Sequence, residues 1–166
     1  MDNSNYKKVR EYKRDTVCKI LIGFVERCEA ANKGEAGKVE SYYTVKNASV
    51  FGSFVNSEKE KVHDLDINVE MGFSKKGEKM TEQELVDLAC EYAPQRLGFI
   101  DKLFWVRSSV LRYVKASSSI ISLSLDDIDQ LTGRKVQIVK DGKIIKKNVI
   151  AILKKNNYPI PETLLS

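Results

Sequence analysis

The chain is poor in histidine, cysteine, tryptophan and proline: its 166 residues include one His, three Cys, one Trp and three Pro. A lone imidazole, His63, with cysteines scattered at positions 18, 28 and 90, gives no ligand set at zinc-type spacing, so no zinc centre is expected. An odd number of thiols also argues against a disulfide framework. Cys18 lies among Val17, Ile20 and Leu21, and Cys90 follows Leu88 and Ala89. The three thiols, Cys28 included, therefore read as small core residues in a reducing compartment. No apolar run approaches the roughly 18 residues of a membrane span. The opening MDNSNYKKVREYKR lacks the apolar core of a secretory signal. These absences predict a cytoplasmic protein with no membrane partner.

What is present is a globular balance, 42% hydrophobic and 31% charged. Lys and Arg total 28 against 23 Asp and Glu, a formal charge of +5 that suits a nucleotide or nucleic-acid partner but is shared by many proteins. The length fits one domain over 1–166, with a basic hairpin and helix extension at about 134–166.

Periodicity predicts the elements. Val17, Ile20, Leu21, Phe24, Val25 and Cys28 recur at three- and four-residue steps, on a helix running from about Tyr6 to Ala31. Ala48 to Phe51 reads as a strand broken by Gly52-Ser53. From Leu65 to Met71 apolar residues alternate with Asp66, Asn68 and Glu70, a strand with one wet face. Lys75 to Lys79 reads as a basic loop, and Thr81-x-x-Glu84 as the capping box of a second helix ending before Pro94. The aromatic stretch Phe99 to Trp105 is expected to be a third strand, followed by a helix over Val106 to Lys115. Ile120 to Leu125 is a further strand candidate. Lys135 to Lys146 carries Asp141-Gly142, a preferred hairpin turn, and a short helix follows around Val149 to Lys155. The fold class expected is α/β (α+β), a small mixed sheet flanked by helices.

The chemistry concentrates between Val50 and Val69. Gly-Ser directly after a buried strand exposes backbone N–H groups that bind phosphate oxygens; the glycine permits close approach and the Ser53 hydroxyl adds a donor. Asp64 and Asp66, two apart at the start of a strand, point to the same face. Hard oxygen ligands so grouped suit Mg²⁺, commonly held by one or two carboxylates plus substrate phosphates. The same residues also fit an ordinary strand-ending turn and the wet side of a sheet.

Gly52-Ser53, then Asp64-Leu65-Asp66 with Ser53 and Asp64 eleven positions apart, resembles the nucleotidyltransferase superfamily related to DNA polymerase beta, in particular its minimal stand-alone members. Phe51, Leu65 and Ile67 match the apolar positions of the pattern. The resemblance implies Mg²⁺- or Mn²⁺-dependent transfer of a nucleoside monophosphate from a nucleoside triphosphate to a hydroxyl acceptor on RNA, tRNA, a protein or a small molecule. It implies that Gly52 and Ser53 hold the triphosphate while Asp64 and Asp66 are catalytic metal ligands. It also implies a third carboxylate on the next strand, as general base or ligand, for which Asp101 is the first candidate and Asp126 the second. Where the family often has a basic residue and glycine after the serine, this chain has Phe54, Val55, Asn56 and Ser57; His63 stands where serine is common.

Other features carry two readings. His63 reads as an exposed loop residue without a catalytic role. Phe99, Phe104 and Trp105 read as core rather than as a base-stacking surface. The stretch Arg134 to Lys155 holds eight basic residues and one acid, Asp141. It reads as a solvated face or, in an inactive module of the same fold, as a surface for nucleic acid or a protein partner. The small size makes a partner chain or a homodimer plausible.

Overall fold

A computed structural model describes residues 9–166. The strand β1 (Tyr12–Lys13) precedes the long helix α1 (Arg14–Asn32). The helix thus starts later than its predicted Tyr6: residues 9–13 are not helical, and 6–8 lie outside the described residues. The apolar stripe begins only at Val17, and Tyr12 is instead drawn into pairing with Val62. A single 3₁₀ turn over Glu40–Tyr42 leads into β2 (Tyr43–Phe51), the four-residue helix α2 (Ser53–Asn56), β3 (Lys61–Val62) and β4 (Leu65–Phe73). The predicted basic loop is partly one turn of helix, α3 (Lys75–Glu78), capped by Ser74 Oγ, which accepts the Gly77 N–H at 3.0 Å. In α4 (Glu82–Tyr92) the Thr81 hydroxyl accepts the Glu84 N–H at 3.1 Å, as its capping sequence predicts.

The predicted third strand is a helix, α5 (Phe99–Arg107), followed by α6 (Ser109–Lys115). Aromatic residues favour strands, but here Phe99, Ile100, Leu103 and Phe104 fall at helical spacing behind Gly98. The Lys102 N–H closes the first turn on the Gly98 carbonyl at 2.9 Å. Phe99 and Phe104 are 55% and 61% exposed and Trp105 is half-buried, so this cluster is not core as expected. The chain ends through β5 (Ile121–Ser124), the hairpin β6 (Val136–Lys140) and β7 (Lys143–Ile144), then α7 (Lys146–Lys155) and α8 (Glu162–Leu165). Asp141 and Gly142, at φ 48° and 78°, make the hairpin turn their sequence predicts.

The main sheet is mixed, in the order β5-β4-β2-β6-β7, with only β4 and β5 parallel; β1 and β3 form a separate antiparallel pair. Register sorts its side chains by face. Leu65, Ile67, Val50, Ile121 and Val136 join the core that α1 and α6 help to close, through Leu21, Phe24, Cys28 and Val110. Ser122 lies beside Asp66, and Ser124, Asn68, Ser49 and Gln137 follow one another across the sheet from β5 to β6, so the other face is a polar one. Cys18 and Cys28 are buried, and burial pushes the Cys18 thiol up to about 11 and raises that of Cys28. Cys90, expected in the core, is exposed on α4, whose inward positions are Leu88 and Ala89. Among the described residues no helix is long and apolar enough to cross a membrane.

Candidate functional site

β2 delivers the chain to Gly52, whose φ of 76° and ψ of −161° suit glycine far better than any residue with a side chain. The bend reverses into α2, where the Val55 and Asn56 N–H groups donate to the Gly52 carbonyl at 3.3 and 3.0 Å. The first-turn amides of such a helix have no acceptor within it.

β4 starts one residue after Asp64, and Phe51 pairs with Asp66. This register lays the Asp66 carboxylate on the Gly52 backbone: a β-carbon at Gly52 would collide with Asp66 Oδ2, with Cγ at 3.1 Å. The bend and the second carboxylate therefore meet in one place. Desolvation raises the Asp66 pKa to about 6; the neighbouring Asp64 acts in the same direction, while the Ser122 hydroxyl opposes them.

The third acid is where the sequence expectation departs from the structure. Asp101 sits exposed in the first turn of α5, not on a strand of the sheet, where its charge complements the helix dipole. The strand parallel to β4 is β5, and its residue beside Asp66 is Ser122. Asp126 follows that strand. Its carbonyl accepts from Asn68 Nδ2 at 2.8 Å, and its carboxylate lies 3.5 Å from Ser124 Oγ. With Asn68, Glu70 and Met71, the segment from Leu125 to Ile128 bounds a cleft of about 480 Å³. No three His, Cys, Asp or Glu side chains among the described residues converge into a metal-binding group. His63 is exposed, with Nε2 4.0 Å from Glu11 Oε1.

Arg14, far from the motif in sequence, and Asn56, within it, fix the bend. Arg14 donates to the carbonyls of Phe54 (2.8 Å), Ser57 (2.6 Å) and Lys59 (2.6 Å), and to Asn156 Oδ1 at 3.2 Å. Its guanidinium lies over the Phe54 ring, 5.4 Å from the centroid. Asn56 Nδ2 donates to the Gly52 carbonyl at 3.0 Å and the Arg134 carbonyl at 2.9 Å, while Oδ1 accepts the Arg134 N–H at 2.8 Å. The contacts from Arg14 to Asn156 and from Asn56 to Arg134 span 142 and 78 positions, so no local pattern announces them. Alternation with Ile121 and Leu123 puts Ser122 on the polar face, but its place beside Asp66 comes from the pairing of β5 with β4.

A scan of protein-family models, a search of curated proteins and a search of solved structures each returned no match.

Proposed function

We propose that the chain is a metal-dependent nucleotidyltransferase, moving a nucleoside monophosphate from a nucleoside triphosphate to a hydroxyl acceptor. The observation that carries this reading is the packing of the Asp66 carboxylate against the side-chain-free backbone of Gly52. A phosphate drawn to the bend then lies beside the carboxylates that would hold its counter-cation. The donor set fits Mg²⁺ or Mn²⁺: two hard carboxylates, crowded enough that Asp66 holds its proton above the usual range. Asp64 and Asp66 would hold the ion, and when bound it supplies charge neutralisation for the departing pyrophosphate.

The chain's own groups do the positioning. Gly52 admits the Asp66 carboxylate to the backbone, Ser53 offers its N–H and hydroxyl to the phosphate, and Arg14 and Asn56 hold the bend in shape. The Ser122 hydroxyl lies beside Asp66 and favours its charged form. In the reaction the acceptor oxygen bonds to the α-phosphorus, the bond to pyrophosphate breaks, and the acceptor proton passes to water.

The test is incubation with each α-labelled nucleoside triphosphate, Mg²⁺ or Mn²⁺, and a pool of RNA, protein and small-molecule acceptors. Label transfer that Asp64→Ala and Asp66→Ala abolish is the expected result. Absence of transfer with every nucleotide overturns the enzyme reading. It then favours the second one, a non-catalytic module of the same fold with Lys147, Lys154 and Lys155 exposed on α7 for a polyanionic or protein partner. The specific observation behind that alternative is Ser122, a neutral hydroxyl beside Asp66.

A further inference from the structure

A wide cavity lies at the far end of the same strands. It is an open groove of about 940 Å³ where β2 begins and β4 ends, walled by the end of α1, by α3 and by the Asp141-Gly142 turn. Five lysines line it, Lys33, Lys46, Lys75, Lys76 and Lys143, against two acids, Glu78 and Asp141. They come from four separate places in the chain, so the fold rather than a basic run creates this concentration of charge. Lys33 and Lys46 have acidic neighbours, Glu29 at 3.2 Å and Glu70 at 3.6 Å. Lys75, Lys76 and Lys143 have none within 4.0 Å among the described residues.

The floor is rigid. Asn32 exchanges hydrogen bonds with Val45 (2.8 and 2.9 Å) and donates to the Gly142 carbonyl at 2.9 Å, and the Gly142 N–H donates to the Lys46 carbonyl at 2.9 Å. Beside the lysines stands Phe73, 56% exposed and backed by Tyr43 with ring centroids 5.7 Å apart. Lys76 Nζ rests over the Tyr42 ring, 4.4 Å from its centroid, and donates to Ser41 Oγ at 3.3 Å, so it is held at the groove without an acidic partner. An exposed, supported ring among ammonium groups that lack an acidic partner is the combination that takes a flexible phosphate chain with unstacked bases. An acidic peptide would use the lysines and leave the ring idle.

We propose that this groove binds single-stranded nucleic acid, its phosphates on Lys75, Lys76 and Lys143 and a base stacked on Phe73. The proposal is independent of the transfer reaction, because binding is read without nucleoside triphosphate or metal. The experiment measures fluorescence anisotropy of a short labelled oligouridine with the full chain at low and moderate salt. Lys75→Glu with Lys143→Glu weakens binding ~10-fold or more and flattens the salt dependence. Phe73→Ala costs ~5-fold or more, and Phe73→Leu, which keeps apolar contact with Tyr43, shifts affinity in the same direction. The same charge reversal at Lys19 on α1 and Lys61 on β3, both exposed and outside the groove, leaves affinity unchanged, and thermal melts confirm that each variant is folded. Equal losses from the two double reversals, or none from the groove reversal, overturn the proposal. So does a duplex bound as tightly as the single strand and indifferent to Phe73. Stronger competition by polyglutamate than by unlabelled oligouridine assigns the groove to an acidic protein and overturns it as well.

Discussion

At one end of the β2–β4 ladder Phe51 pairs with Asp66, beside a glycine held at positive φ and a second carboxylate. At the other end Tyr43 pairs with Phe73, among lysines drawn from several elements. The acidic end depends on single atoms: the missing β-carbon of Gly52, the three carbonyls gathered by Arg14, the amide of Asn56. The basic end rests on a stitched floor but presents long, solvated side chains, none of which is individually required for the fold. One ladder thus carries a bend held by single contacts at one end and a surface of exchangeable side chains at the other. The two ends should accordingly respond to mutation on different scales.

The largest effect belongs to the carboxylates: Asp64→Ala or Asp66→Ala reduces label transfer by at least ~10²–10³-fold, read in a single-turnover assay. Next is Gly52→Ala, which combines a disfavoured φ with a collision against Asp66; it costs about 2–3 kcal/mol in urea unfolding. An unchanged midpoint would remove the close approach on which the site is built. Arg14→Ala loses charged hydrogen bonds to the carbonyls of Phe54, Ser57 and Lys59 and costs about 2 kcal/mol. Arg14→Lys does not restore it, since one ammonium cannot span three carbonyls.

A pH dependence separates the ends further. Asp66 has its folded-state pKa raised from 3.8 to about 6, so between those values the folded chain binds more protons than the unfolded one. This group's contribution to stability therefore falls as pH rises through that window, and the penalty is complete above about 6. In metal-free protein Asp66→Asn should stabilise by about 1 kcal/mol at neutral pH, after discounting for solvent screening, and have almost no effect near the lower value. Melting curves across the window, with and without Mg²⁺, check both the sign and the expectation that only the native carboxylate gains from the ion. The smallest effect is at the basic end. Lys46→Ala removes a solvent-exposed pair with Glu70 and shifts stability by less than ~0.5 kcal/mol.

Much of the acidic end was legible because its information is local. Alternation from Leu65 to Met71 set the face of Asp66, and Gly-Ser after an apolar run announced the bend. Thr81 and Asp141-Gly142 marked a cap and a turn by their own chemistry. Legibility failed where long-range pairing decides. That Ser122 lies beside Asp66 follows from the parallel pairing of β5, which no spacing in the chain encodes. Asp101 was expected on a strand because Phe99, Phe104 and Trp105 have high β-propensity, whereas the helical spacing of Phe99, Leu103 and Val106 gives the better guide. Cys90 was placed inside on the strength of its two neighbours, but on a helix adjacent residues face different directions. The lysine groove was legible only in part: the basic run at Lys75 was visible, its meeting with Lys33 and Lys143 was not.

The strand order also bears on how chains of this protein behave when crowded. The five-stranded sheet ends on β5, four residues long, and on β7, only two. Rims this short leave few unpaired peptide groups for a neighbouring backbone to copy, and that shields an otherwise apolar, valine-rich interior from runaway strand addition.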